Sequence, residues 1–155
     1  MEPMVNIALR AARKAGNLIA RASDDLTRLR FEAKGKADFV TEVDLASERE
    51  LIFNLQKTYP DHAFLCEESG RTGPEDAEYI WIIDPLDGTS NFMRGIPHYC
   101  ISIACTKAGK VEHAVVLDPV RQEEFTASRG RGAQLNGRRL RVSDRVDFKE
   151  CLIGT

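Results

Sequence analysis

Cysteine pairs, tryptophan, excess charge and long apolar runs are all scarce in this 155-residue chain, and each scarcity closes off a class of function. Lys plus Arg total 22 against 24 Asp plus Glu, a formal charge of -2, so no overall positive charge draws the chain to nucleic acid or anionic lipid. The opening "MEPMVNIALRAARKAG" carries Arg10, Arg13 and Lys14 where a secretory leader has its apolar stretch, so no signal peptide is expected. No apolar run elsewhere is long enough to span a membrane, and a cytoplasmic location follows as the expectation. Cys66, Cys100, Cys105 and Cys151 contain no C-x-x-C pair. That argues against zinc and dithiol chemistry and for free, mostly buried thiols in a reducing compartment. His62, His98 and His113 have no ligand spacing and read as surface or core-edge residues.

What is present is an ordinary globular composition, 43% hydrophobic and 30% charged, enough for one domain with a core of its own. Over residues 4–22, Ile7, Ala11, Ala15, Leu18 and Ile19 keep helical spacing with basic residues between them. Residues 23–39 break that period, and Lys34-Gly35-Lys36 reads as a mobile loop. A second helix is expected from Thr41 or Asp44, with Leu45, Ile52 and Leu55 on its apolar face and Tyr59-Pro60 ending it.

The period then changes to that of strands. "AFLCEES" is a short apolar run ending in acids, "RTGPEDAE" a polar loop and "YIWII" a buried strand. Ala108-Gly109 and Asn136-Gly137 are hairpin signals, with "EEFTASRG" a strand between them. Tyr99 and Cys100 read as strand core, Asp118-Pro119 as a strand-ending turn and residues 121–124 as a charged face. Two helices followed by several antiparallel strands predict an α+β architecture, the helices packed on a large, mainly antiparallel sheet. The last residues, "ECLIGT", read as the start of one more strand.

Acids gather where the chain turns: Asp44, Glu67-Glu68, Asp84 and Asp87. Glu67 and Asp84 each follow an apolar run, so both belong at strand ends. Neighbouring strands would bring their carboxylates to one edge, with Asp87 three residues on across a Pro85-restrained turn. Like charges held together oppose joint ionisation unless a cation sits among them. Hard oxygen ligands suit Mg²⁺, and a turn carbonyl such as that of Leu86 can add a donor. Gly88 lets backbone approach an anion, and the following Thr89-Ser90-Asn91 favours a helix start whose amides can cradle phosphate. Together these make a metal-assisted phosphatase site. The plain alternative stands beside it: Asp-Gly after a strand also makes a simple turn, and Glu-Glu-Ser a solvated loop.

The quoted residues resemble a known family. "DPLDGTSNF", "CEESG" and "KADFVTEVD" are similar to the signature, the metal segment and the helix lead-in of the inositol monophosphatase family. "PMVNIALRAARKAGNLI" and "VVLDPVRQEEFTASRGRGAQLNGRRLR" resemble a bacterial branch of it. The resemblance implies a Mg²⁺-dependent, lithium-sensitive phosphomonoesterase acting on inositol monophosphates, homodimeric, with two to three ions per complete site. It implies Glu67, Asp84 and the Leu86 carbonyl on the first ion, Asp84 and Asp87 on the second, and Glu67 on a weaker third. Thr89, bonded to Asp44, would help Glu67 activate a water. Glu67, Leu86, Asp87, Gly88, Thr89 and Ser90 would surround the phosphate, and Lys36 would reach it from its loop.

The family fold so implied is a layered αβαβα sugar-phosphatase fold, of which residues 1–155 resemble the N-terminal half. The second half carries a W-D-x-A-A-G segment with a further metal-binding aspartate and the residues that grip the ring. The only tryptophan here is Trp81, and no such segment occurs. A chain of this kind is expected to bind Mg²⁺ weakly and hydrolyse little alone, with the apolar surface that meets the second half left open. Related enzymes of the same class take fructose 1,6-bisphosphate, 3′-phosphoadenosine phosphates, NADP or histidinol phosphate. The bacterial branch is also associated with transcription antitermination, through NusA and RNA polymerase. Arg129, Arg131, Arg138, Arg139, Arg141 and Arg145 form a local basic cluster for such contacts, or a solvated hairpin face.

Overall fold

In a computed structural model, which describes residues 2–26, 31–35, 38–144 and 146–152, the first helix α1 (Pro3–Ser23) has Pro3 in its first turn, where the ring fits the helix start. Its buried stripe sets Val5, Leu9 and Ile19 among the small Ala8, Ala12 and Ala15, which allow close packing. A Cβ on Gly16 would stand 2.9 Å from Leu117 Cδ2, so this helix lies directly against a strand. β1 (Phe31–Gly35) and β2 (Asp38–Thr41) pair antiparallel, where the sequence suggested a loop. Lys36 lies outside the described residues.

Helix α2 (Glu42–Thr58) begins as its signature predicts. The Thr41 side chain accepts from the Val43 and Asp44 amides, and the Asp44 carboxylate takes the Thr41 N–H in return. Tyr59 caps its other end. Its buried face differs from the expected one. Leu45 is 41% exposed, and the stripe turned inward is Val43, Asp44, Ser47, Glu48, Leu51 and Leu55. The helix is rotated to present polar residues inward, toward the strand ends that carry the acids.

The other strands are β3 (Ala63–Cys66), β4 (Gly70–Thr72), β5 (Tyr79–Asp87), β6 (Cys100–Lys107), β7 (Lys110–Asp118), β8 (Glu123–Ser128), β9 (Gly132–Leu135) and β10 (Arg138–Arg139). They form one eight-stranded sheet in the order β10-β9-β8-β7-β6-β5-β3-β4. Every neighbouring pair is antiparallel except β3 and β5, which run parallel. The fold is thus the α+β arrangement of helices on a mainly antiparallel sheet. A short third helix, α3 (Thr89–Met93), follows β5. β4 falls in a stretch that reads as loop in the sequence. The described residues of 150–155 hold no strand, only the end of a 3-10 helix, Phe148–Glu150. Both hairpin signals form as expected: Ala108-Gly109 and Asn136-Gly137 all have φ between 47 and 77°, the two-residue turn that matches strand twist.

Strand alternation divides the sheet into two faces. Phe64, Cys66, Trp81, Ile83, Ile101, Ile103, Val115 and Leu117 are buried, in one core with α1 and α2. On the opposite face the register aligns Leu65, Ile82, Ala104, Ala114 and Ala127 in one row across five strands. Leu65 and Ile82 are 45% and 40% exposed, so this apolar row is open.

Candidate metal and phosphate site

Glu67 and Asp84 come together where the parallel β3–β5 ladder ends. Cys66 pairs with Ile83, and the Glu67 N–H continues the ladder to the Ile83 carbonyl at 3.1 Å. Glu67 and Asp84 therefore stand side by side just past that last pair. Glu67 follows the end of β3 as expected, whereas Asp84, expected at a strand end, lies within β5, which runs on against β6 to Asp87.

Asp87 joins them through a bulge. Along β5 the register runs from Asp84 opposite Ser102 to Asp87 opposite Cys100, so β5 spends one residue more than β6. In a regular strand, positions three apart point to opposite faces. The extra residue returns Asp87 to the face of Asp84. Pro85, which cannot donate to a ladder, sits inside this irregularity, where proline is tolerated. The Asp84 Oδ1 accepts the Leu86 N–H at 3.1 Å, which ties the carboxylate to its own turn.

Burial raises the Asp84 carboxyl above the usual carboxylate range. A hydrogen bond with Glu67 opposes that rise, while the nearby charges of Asp87 and Asp44 add to it. Ionised carboxylates only accept, so a bond between two of them requires a shared proton. Among the described residues no three His, Cys, Asp or Glu side chains are grouped to hold a metal ion. The donor types still suit one: the carboxyls of Glu67 and Asp84 and the Leu86 carbonyl are hard oxygens of the kind that Mg²⁺ takes once the shared proton is displaced.

Behind these acids stands a second layer of contacts. Asp44, 1% exposed, accepts the Thr89 hydroxyl at 2.8 Å on Oδ1 and the Thr41 N–H at 2.8 Å on Oδ2, where the Thr41 hydroxyl also meets it. The Thr89 hydroxyl also lies 2.9 Å from the Leu86 carbonyl. It has one proton for two acceptors, and the charged one is the stronger. Gly88 has φ 95°, and a Cβ there would lie 2.9 Å from the His98 carbonyl. This position therefore needs glycine twice, for its dihedral and for the close backbone approach. Gly88 caps α3, its carbonyl receiving the Asn91 and Phe92 amides at 2.9 and 3.0 Å. Ser90 lies in the first turn of α3, its carbonyl accepting from Arg94 at 2.9 Å.

A cleft of about 540 Å³ opens beside Asp87, lined also by Gly88, His98, Cys100 and Arg121, while Glu67 and Asp84 line a separate cleft of about 320 Å³ with Leu65 and Ile82. The Cys100 thiol is pushed up to about 11 by burial and by the charges of Asp87, Asp84 and Asp118, so it stays protonated at neutral pH. Cys66 and Cys105 are also held as thiols, at about 11 and about 12, and all four cysteines are free. Arg121 is paired with Asp118 at 2.7 Å and reaches the Pro97 carbonyl at 3.2 Å.

Two residues that sequence reasoning passed over brace this site. The Ser47 hydroxyl donates to the Pro85 carbonyl at 2.8 Å, and the Glu48 carboxylate accepts the Glu68 and Ser69 amides at 2.9 and 3.0 Å. Their signal was available: they fall three and four residues after Asp44, on the stripe continued by Leu51 and Leu55.

The arginine cluster splits in the structure. Arg129 pairs with Glu112 at 3.0 Å and also meets the Val111 carbonyl, while Arg131 pairs with Glu2 at 2.7 Å. Arg138 and Arg139, on the edge strand β10, are exposed, as is Arg141, and Arg145 lies outside the described residues.

Known proteins are similar to this chain in sequence and in fold. The Nus factor SuhB of Pseudomonas aeruginosa is 58% identical over 157 aligned residues, covering 100% of this chain and 58% of that protein. This chain therefore spans under two thirds of its relative's length. The extragenic suppressor protein suhB of Bartonella henselae superposes with a TM-score of 0.90 at 41% identity, over 93% of this chain and 56% of that one. An IMPase/NADP phosphatase solved with Mg²⁺ and phosphate superposes at 0.71 with 30% identity, over 81% of this chain and 48% of that one. No helix among the described residues is long and apolar enough to cross a membrane. Residues 1–155 match the model of the Inositol monophosphatase family throughout, and the chain belongs to the inositol monophosphatase family.

Proposed function

We propose that this chain supplies the metal- and phosphate-binding part of a Mg²⁺-dependent phosphomonoesterase that acts on inositol monophosphates. The observation that carries this is the placement of three acids by the backbone: Glu67 directly after β3, Asp84 beside it on the parallel strand β5, and Asp87 returned to the face of Asp84 by the bulge. Glu67, Asp84 and the Leu86 carbonyl would hold one ion, and Asp84 with Asp87 a second. When bound, the cations supply charge neutralisation at the phosphoryl oxygens and make a water more acidic.

The protein's own groups do the rest. With its proton committed to Asp44, the Thr89 hydroxyl keeps a lone pair free to accept from the attacking water, and so orients it. Glu67 takes the proton of that water as general base. The amides of Gly88, Thr89 and Ser90, at the start of α3, face the phosphate with donors and no side chain in the way. The cleft beside Asp87 leaves room for the ring.

The rest of a longer protein would pack on the open sheet face and complete the site. A chimera of residues 1–155 with the remaining part of the Pseudomonas relative tests this, assayed for phosphate release from inositol 1-phosphate with and without Mg²⁺. The chimera is expected to turn over only with Mg²⁺, residues 1–155 alone at least ~100-fold more slowly, and the Asp87→Asn chimera not at all. Absence of Mg²⁺-dependent release by the chimera would overturn the reading.

A second reading, a transcription partner binding NusA or RNA polymerase, is favoured by the exposed Arg138, Arg139 and Arg141 on the edge hairpin. A NusA pull-down separates the two roles. Loss on replacing the three arginines with Ser, and retention in Asp87→Asn, is the outcome expected of a scaffold role. Retention in both removes the hairpin from it.

A further inference from the structure

One turn of α2 touches both loops that carry the acids. Glu48 is 3% exposed, and its two oxygens are both engaged, Oε2 by the Glu68 N–H at 2.9 Å and Oε1 by the Ser69 N–H at 3.0 Å. These are the two amides directly after Glu67. The preceding residue, Ser47, is fully buried and donates to the Pro85 carbonyl at 2.8 Å, between Asp84 and Leu86. Both backbone segments lie where ladders stop: β3 ends at Cys66, and the register of β5 against β6 shifts between Asp84 and Asp87. The two side chains thus bond the chain where the sheet does not.

Packing alone does not call for a carboxyl at Glu48. Leu51 and Leu55 fill the same stripe with apolar atoms. A buried carboxyl is costly unless its oxygens are bonded, and here the partners are the two amides of the Glu67 loop. Groups that bond backbone beside metal ligands fix the direction of those ligands, and removing them commonly weakens metal binding ~10–100-fold.

We propose that Glu48, assisted by Ser47, is a positioning residue for the metal site. Glu48 sets the direction of the Glu67 side chain by pinning the two amides that follow it. Ser47 sets the spacing of Asp84 and the Leu86 carbonyl by pinning the carbonyl between them. The inference rests on the reading of Glu67, Asp84 and the Leu86 carbonyl as ligands.

The test uses the 155-residue chain with Mn²⁺ as probe, its binding read by electron paramagnetic resonance, beside thermal melting and amide hydrogen exchange. The variants are Glu48→Gln, Ser47→Ala and, as a site control, Asp84→Asn. Gln keeps the length of Glu48 but offers one acceptor oxygen and sets an NH₂ against the second amide. Glu48→Gln is expected to hasten exchange at Glu68 and Ser69 and to weaken Mn²⁺ binding ~10-fold, with Asp84→Asn abolishing it. A lowered melting temperature with unchanged Mn²⁺ affinity overturns the inference, because that is the mark of a merely structural residue. If Glu48→Gln does not fold, Ser47→Ala decides: a several-fold loss of affinity supports the proposal, and unchanged affinity overturns it. Wild-type chain without Asp84-dependent Mn²⁺ binding overturns the ligand assignment and this inference with it. Wild-type binding shared by both α2 variants overturns the inference alone.

Discussion

The Thr89 hydroxyl donates to Asp44 Oδ1 at 2.8 Å, joining the first residue of α3 to the first turn of α2. The other Asp44 oxygen is taken by Thr41, so one buried carboxylate both caps a helix and anchors the loop that carries the signature. Among the described residues no buried side-chain oxygen or nitrogen lacks a partner. Thr89→Val removes only the hydroxyl and leaves Asp44 Oδ1 without this bond, which is expected to destabilise the chain by ~1–3 kcal/mol in urea unfolding. Thr89→Ser keeps the donor and is expected to stay within ~1 kcal/mol of wild type. A Val variant as stable as wild type would show that the contact holds nothing together.

Trp81 is the chain's single tryptophan, buried, and its indole N–H donates to His62 Nδ1 at 3.0 Å. His62 is stacked between Tyr59 and Tyr79, at ring separations of 4.7 and 4.8 Å. Burial lowers the His62 pKa, while the charges of Asp61 and Glu78 work against that shift. A protonated imidazole has only donors and cannot accept from Trp81. The folded state thus binds a proton less readily than the unfolded one. The stability so contributed is full above the ordinary imidazole value of about 6.5 and is lost as pH falls from there toward the folded pKa. The urea midpoint of wild type is expected to drop over that window, together with a change in Trp81 fluorescence. His62→Gln, which can accept without titrating, should flatten the drop. An identical pH profile in both proteins would assign the sensitivity elsewhere.

Much of this site is legible in sequence because its positions are set by local rules. The Thr41–Asp44 cap, the glycine at 88, and the acids after "AFLC" and "YIWII" each follow from turn chemistry or from where an apolar run stops. The relation among them is not local. That Glu67 meets Asp84 depends on β3 and β5 pairing in parallel, and that Asp87 joins them depends on a register shift against β6. Ser47 and Glu48 were missed for a related reason. Their partners lie 38 and 20 or 21 residues away, in loops whose approach to α2 no helical period encodes. Leu45 misled in the opposite sense, since hydrophobicity placed it inward while the helix turned its polar stripe to the site. The β1–β2 hairpin escaped notice because "FEAKG" and "DFVT" are too short and mixed to show a period of two.

The apolar row on the open sheet face gives the last expectation. Leu65 and Ile82 are opposite each other on β3 and β5 and partly exposed, with Ala104, Ala114 and Ala127 continuing the row. Exposed contiguous apolar surface marks a face that another element covers, and left open it drives association. Ile82→Lys places a charge on this face without touching the core beneath. In residues 1–155 it is expected to reduce self-association, seen in sedimentation velocity, with little change in unfolding. In the chimera with the remaining part of the Pseudomonas relative, where the face would be covered, the same change should cost ~1.5–3 kcal/mol or more. The contrast between the two proteins is the point of the measurement. A variant harmless in both would mean that nothing packs on the row, and one equally harmful in both would mean that the row already belongs to the core of residues 1–155.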